Sequence, residues 1–273
     1  MAKTNNENTN TNTNVTWMAF KTMVKRDLVI QARDKWEFVF RVAMLPFILI
    51  LAYGYILPKI GLVPATFPTQ MFSGMVGMSM IVTGIHGTGV PLTMDFNNSR
   101  EIEDRLMAPV NIKTVAVAKM FVGIIESWIG GLIVLPFSLL LMGDSLELVL
   151  NFQSILILIP ILLLTSIASA TLGLLVGTII KPMQIAAMFP GFLMPMVFLG
   201  AIFFSWSDLA ATPIIQKLVL INPLVYVNEA LRAVLTPQIT HMALQFSILG
   251  IIVSILVMGY FGAKRFMRMA KGA

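Results

Sequence analysis

Ser154–Ile180 reads SILILIPILLLTSIASATLGLLVGTII and holds no charged residue. A helix needs about 20 mostly apolar residues to cross the hydrocarbon of a bilayer, and in water such a run would have no hydrated face to offer. Lipid is therefore its solvent. Five further stretches meet the same condition, roughly 38–57, 71–94, 115–142, 183–204 and 242–261. The stretch 71–94 is the least apolar, with Ser73, Gly77, Thr83, Gly84, Gly87 and Thr88 among its residues, a composition that suits contact with other helices. The expected fold class is an all-α membrane protein with six transmembrane helices in a domain covering 38–273.

Composition agrees with this. The 273 residues are 57% hydrophobic and only 12% charged, with a mean hydropathy of +0.86, outside the balance of a soluble domain. The formal net charge of +6 does not point to nucleic acid, because the basic residues cluster at helix ends and are not interleaved with stacking aromatics. There is no cysteine, hence no disulfide framework, thiolate metal site or cysteine nucleophile.

Residues 1–16 are dominated by Asn and Thr, have almost nothing to bury, and are expected to form a disordered tail. From Trp17 to Glu37, Trp17, Phe20, Met23 or Val24, Leu28 and Ile30 recur at roughly helical spacing between Lys21, Lys25, Arg26, Arg33 and Lys35. That pattern predicts an amphipathic interfacial helix on the cytoplasmic face, with an ordinary packed surface helix as the alternative. If the N-terminus is cytoplasmic, only Lys59, Lys217 and Arg232 of the 19 Lys and Arg fall outside. This bias predicts a multi-pass protein of the cell membrane with both termini cytoplasmic.

Two connections carry more than a turn would. Between the second and third spans, a charged helix is expected at about 99–110, ending near Pro109, with Asn98 or Ser99 as its cap. The outer segment at about 206–240 is too apolar for a solvated loop. Its two short helices, separated at Asn222-Pro223, predict a re-entrant helical hairpin dipping into the outer leaflet.

No catalytic constellation is legible. There is no G-x-x-x-x-G-K-[ST] loop to cradle a nucleotide, and Gly173-Leu-Leu-Val-Gly177 is a helix-contact pattern inside a span. The two histidines, His86 and His241, stand apart with no clustered carboxylates, so neither a metal site nor a Ser-His-Asp arrangement is expected. Glu126 lies roughly 16 Å into the third span at 1.5 Å per residue, where a carboxylate is costly and marks a candidate intramembrane functional residue. His86, in the second span, is a candidate partner; a protonated Glu126 bonded to Ser, Thr or backbone is the structural alternative. Pro190, Gly191, Pro195 and Gly200 predict a kinked fifth span, which either lines a substrate route or packs against lipid.

Two motifs carry a resemblance. Arg100-Glu-Ile-Glu-Asp-Arg-Leu-Met-Ala-Pro109-Val and Asn222-Pro-Leu-Val-Tyr-Val-Asn-Glu-Ala-Leu-Arg232, in this order among the spans, are similar to segments of the permease subunits of type-2 ABC exporters. The resemblance runs over nearly all of Trp17 to Arg268, and departs from the pattern at Glu101-Ile102-Glu103-Asp104. It implies that Arg100, Glu101, Glu103, Asp104, Arg105, Leu106 and Pro109 belong to a coupling helix seated in a separate nucleotide-binding ATPase subunit. It also implies that Asn222, Pro223, Tyr226, Glu229 and Arg232 form the outer hairpin motif. On the same footing the chain is not itself an enzyme and binds no cofactor, ATP and Mg being held by the partner. A second permease copy, giving a homodimer, completes the expected assembly. The implied activity is export of a drug-like amphiphile or lipid, with lipid-linked polysaccharide as an alternative cargo. A proton-coupled secondary transporter using Glu126 and His86 is the reading from a different class.

Overall fold

The computed structural model describes residues 2–33, 35–97 and 112–272. Among them every regular element is helical. In chain order these are α1 (Ala2–Arg33), α2 (Trp36–Lys59), α3 (Phe67–Asn97), α4 (Ile112–Met142) and α5 (Phe152–Gly177). Then come α6, built of Ile185–Met188, Phe189–Leu193 and Met194–Phe198, followed by α7 (Pro213–Ile221), α8 (Pro223–Leu235) and α9 (Leu244–Gly272). The chain is an all-α membrane protein: α2, α3, α4, α5 and α9 are each long and apolar enough to cross a bilayer, and α7 with α8 would add a sixth crossing if that bent pair were one span.

α3 is the axis of the bundle. Of its most apolar window 78% is buried, against 22% for α9, as expected for a stretch rich in small and hydroxylated residues. These residues bring backbones together. Ser79 Oγ donates to the Gly130 carbonyl of α4 at 2.7 Å, and Thr93 Oγ1 to the Gly177 carbonyl of α5 at 3.1 Å. The G-x-x-x-G of α5 faces α3 directly: a Cβ on Gly177 would lie 2.7 Å from the Gly89 oxygen, and one on Gly89 would lie 2.9 Å from the Gly173 oxygen. Met71, Phe72, Met75 and Ile81 of α3 share the main apolar core with Leu172 of α5 and Leu224, Val227 and Leu231 of α8.

One element differs from the sequence expectation. The fifth stretch, expected to span over 183–204, is helical over 182–198, beginning with a 3₁₀ turn at Pro182–Gln184, about 25 Å at 1.5 Å per residue and short of a ~30 Å hydrocarbon core. Its middle, Phe189–Leu193, widens to a π-turn around Pro190, the usual response to a residue that removes an N–H and crowds the preceding turn. Beyond Phe198 the chain leaves the helix, and Ala201 takes a left-handed conformation, φ 56°. α1 runs from Ala2, and its packed part is where Phe20, Val24 and Leu28 lie on Ala118 and Val122 of α4.

The elements meet at two ends. At the terminal end, Phe266 of α9 packs with Leu92 of α3, Val115 of α4 and Leu174 of α5. At the hairpin end, Thr69 Oγ1 donates to the Ser145 carbonyl at 2.8 Å, and Val149 N donates to the Leu235 carbonyl at 2.9 Å. The loop after α4 is thereby pinned to α3 and α8.

Candidate functional site

The break at the end of α6 poses a problem that α8 solves. Once the chain leaves the helix, its carbonyls lose their intrahelical donors, and buried carbonyls without donors are expensive in an apolar surrounding. α8 supplies side-chain donors at three of them. Asn222 Nδ2 donates to the Met196 carbonyl at 2.7 Å, Asn228 Nδ2 to the Gly200 carbonyl at 2.6 Å, and Arg232 Nη2 to the Ala201 carbonyl at 2.7 Å. Asn222 also caps α8, its Oδ1 accepting from Leu224 N at 3.0 Å, with Pro223 at the first helical position. Both choices fit helix N-terminal chemistry.

Glu229 completes the cluster. Its Oε1 accepts from Trp206 N at 2.9 Å and from Arg232 Nη1, and its Oε2 accepts from Met242 N. Glu229 and Arg232 are both 0% exposed. A buried ion pair is tolerable when further hydrogen bonds occupy its remaining donors and acceptors; here they reach backbone in four places, and Arg232 Nε alone of the pair is left without a partner. Arg232 Nη2 also approaches the Gln70 carbonyl at 3.4 Å. One helix thus ties together the end of α6, the turn at Trp206, the start of α3 and the approach to α9. Tyr226 joins α8 to α7 and α9: its hydroxyl donates to the Leu220 carbonyl at 2.8 Å, and its ring fills the space above Gly250 of α9. Beside it lies an open apolar cavity of about 800 Å³ lined by Trp206, Leu220, Tyr226, Phe246, Leu249 and Val253.

The terminal end carries a second charge cluster, which reading the sequence does not find. Lys119 Nζ of α4 lies 2.7 Å from Asp27 Oδ2 of α1 and 2.9 Å from Asp95 Oδ2 of α3, and all three side chains are buried. Arg26 pairs with the other Asp27 oxygen at 3.2 Å. A signal was available: Lys119 sits within Ala116-Val-Ala-Lys-Met-Phe-Val122, and a cation in an apolar helical run needs an anion. Which anion it finds is a tertiary matter. Nearby, Arg265 Nε of α9 donates to the Thr178 carbonyl after α5 at 2.8 Å.

The expected coupling residues Arg100, Glu101, Glu103, Asp104, Arg105, Leu106 and Pro109 lie outside the described residues. The flanks are described: Asp95, two residues before the end of α3, and Lys119, in the second turn of α4, form an ion pair, so the end of α3 and the start of α4 are joined.

Glu126 and His86 do not form the pair considered from sequence. Glu126 is 2% exposed and neither carboxylate oxygen has a hydrogen-bond partner, while His86 Nδ1 lies 3.0 Å from the Val82 carbonyl of its own helix. The carboxylate instead occupies the space over Gly87, where a Cβ would come within 2.5 Å of its Oε2. Nor does the alternative, a carboxyl bonded to Ser, Thr or backbone, describe it. Among the described residues no three of His, Cys, Asp and Glu stand together as a metal-ligand group.

Comparison with known proteins places this arrangement. A family model described as ABC-2 type transporter matches residues 18–236, which takes in α1 from its packed part, the loop between α3 and α4, and the whole of α8. No curated protein matches the chain significantly.

Proposed function

Since the chain belongs to the ABC-2 type transporter family, as a membrane component that works with an ATPase subunit and is not itself the ATPase, we propose that it is the permease of an exporter. The cargo in this reading is an amphipathic small molecule, drug or lipid, and the alternative cargo is a lipid-linked polysaccharide. ATP and Mg stay on the partner. Both termini and the 99–110 segment face the cytoplasm, as the Lys and Arg bias supports. α1 lies along that face, and α7 with α8 dips into the outer leaflet. Two copies of the permease, side by side, enclose the route.

The observation that carries the mechanism is the Asp27–Lys119–Asp95 bridge. A coupling element transmits motion only if its base moves as a unit. This bridge joins α1, α3 and α4 at the root of the 99–110 segment, so a push on Arg100 to Pro109 would tilt three helices together as a rigid body. At the other end, the Glu229–Arg232 cluster holds α6, α8 and α9 to α3, so the displacement would arrive there without being absorbed by loops. Substrate moves uphill because the two states of the pair bind it differently. No hydrogen bond or ion pair joins Glu126 to His86 among the described residues, so nothing in the geometry favours the proton-coupled reading.

The test is to co-purify the chain with its nucleotide-binding subunit, reconstitute the complex, and measure vanadate-sensitive ATPase activity with uptake into inside-out vesicles. Substituting Glu103, Arg105 and Leu106 by Ala should abolish uptake while the partner's basal hydrolysis survives. Uptake that persists without ATP hydrolysis would overturn the proposal, as would accessibility labels that place Arg100 to Pro109 outside the cell.

A further inference from the structure

We propose that the cavity between α1, α2 and α4 is a side-entry site for the amine-bearing head of an amphiphile, with Glu126 as its anchoring acceptor. The space is about 470 Å³, lined by Leu28, Gln31, Phe38, Val39, Glu126 and Ile133. Apart from Glu126 and Gln31, its walls are apolar. The Gln31 amide faces the carboxylate, but at normal hydrogen-bond distance and angle neither Glu126 oxygen nor Gln31 Oε1 has a partner, and all three are buried. Acceptors that are buried and unbonded cost free energy that a donor-bearing occupant recovers. The sequence keeps room for this carboxylate on its far side as well, since Gly87 is the residue facing it from α3.

The chemistry of the occupant follows from what is present and missing. A carboxylate at membrane depth is most stabilised by a cation that brings its own hydrogen-bond donors. The Arg41 guanidinium lies 5.7 Å over the Phe38 ring; its charge reaches Glu126, but it makes no hydrogen bond to either oxygen, so the donor is what the site still lacks. An ammonium head would complete the set, accepted by Glu126 and by Gln31 Oε1, while its tail lies on Leu28, Val39 and Ile133. The volume exceeds by far what one water fills. The neighbouring surface of α2, with Trp36, Phe40 and Met44 exposed, is apolar, so an entering tail need not leave lipid.

Two sources share this chemistry, a cationic amphiphile in transit and a resident aminolipid. As a statement about cargo the inference rests on the exporter reading above; as a statement about binding it does not. The full chain in nanodiscs is photolabelled with a diazirine derivative of dodecylamine, and in parallel with the matching dodecanoic acid and dodecanol probes. The amine probe should label peptides around Leu28–Val39 and Ile129–Ile133 at least about tenfold above the other two, a ratio equivalent to about 1.4 kcal/mol. Glu126→Gln, nearly isosteric and checked for a monodisperse elution profile, should remove that preference, and Glu126→Asp should restore part of it. Equal labelling by the three probes, or an amine preference that survives Glu126→Gln, overturns the proposal. Where the preference holds, loss of label on ATP turnover in the complex identifies cargo. An aminolipid found by mass spectrometry in the purified wild-type chain and missing from Glu126→Gln identifies a resident lipid. Because labelling needs no ATPase, a failed exporter reading leaves this result standing, and the reverse holds too.

Discussion

The two buried charge clusters solve opposite problems. Glu229–Arg232 is made within one helix and spends its remaining bonds on backbone carbonyls and amides of other segments. Asp27–Lys119–Asp95 is made among three separate helices, through ion pairs between side chains. The first replaces hydrogen bonds that broken secondary structure has lost, so it has no alternative arrangement in which the backbone stays satisfied. The second joins elements that each satisfy their own backbone, so it can part and re-form without unravelling any of them. A static lock at the hairpin end and a separable clamp at the terminal end suit a protein moved from one side.

Removing a lock residue should therefore cost most. Arg232→Leu leaves Glu229 buried and unpaired and the Ala201 carbonyl without its donor, a loss of about 3–5 kcal/mol. We expect failure to elute as a monodisperse species after mild heating, and Arg232→Lys should recover only part, lacking the planar fork. Lys119→Met comes next, at about 3 kcal/mol, the low end for a broken buried pair. The contrast lies in the cure. Lys119→Met with Asp27→Asn and Asp95→Asn should regain most thermal stability, because replacing a whole buried ionic group is often close to neutral. That variant should still have lost ATP-driven uptake. If the triple variant transports normally, the clamp has no part in coupling. Asn228→Ala, which frees only the Gly200 carbonyl, should cost about 1–3 kcal/mol in the same melting assay. Smallest is Lys59→Ala: its exposed ammonium contacts Tyr55 at the end of α2, and a solvated contact of this kind contributes about 0.5 kcal/mol or less.

What could be read from the sequence follows the range of the forces. The five long helices were legible because lipid solvation acts on each run of residues independently. The packing of α3 was legible for the same reason, its small residues announcing a buried helix. α6 misled because its apolar content suggested a span while Pro190 and Pro195 limited what the backbone could form, and composition does not say where such a helix stops. Asn222 to Arg232 stood out as a motif, but its task of donating to Met196, Gly200 and Ala201 became visible only when a distant break was brought beside it. Lys119 was counted as one more inward-facing charge. Depth alone suggested pairing Glu126 with His86; residues at similar heights on different helices need not bond, and here His86 Nδ1 lies against the Val82 carbonyl of its own helix while neither Glu126 oxygen has a hydrogen-bond partner.

The low hydropathy of α3 has a consequence for biogenesis. Its best window averages 1.2, against 2.5 for α5, so the helix that ends up most enclosed is the one least able to partition into the membrane unaided. It emerges from the ribosome before the two helices that shelter its hydroxyls and glycines. Its lateral release from the translocon should therefore wait for α4 and α5, and a nascent chain truncated after Asn97 should stay accessible to aqueous labels where a longer one does not.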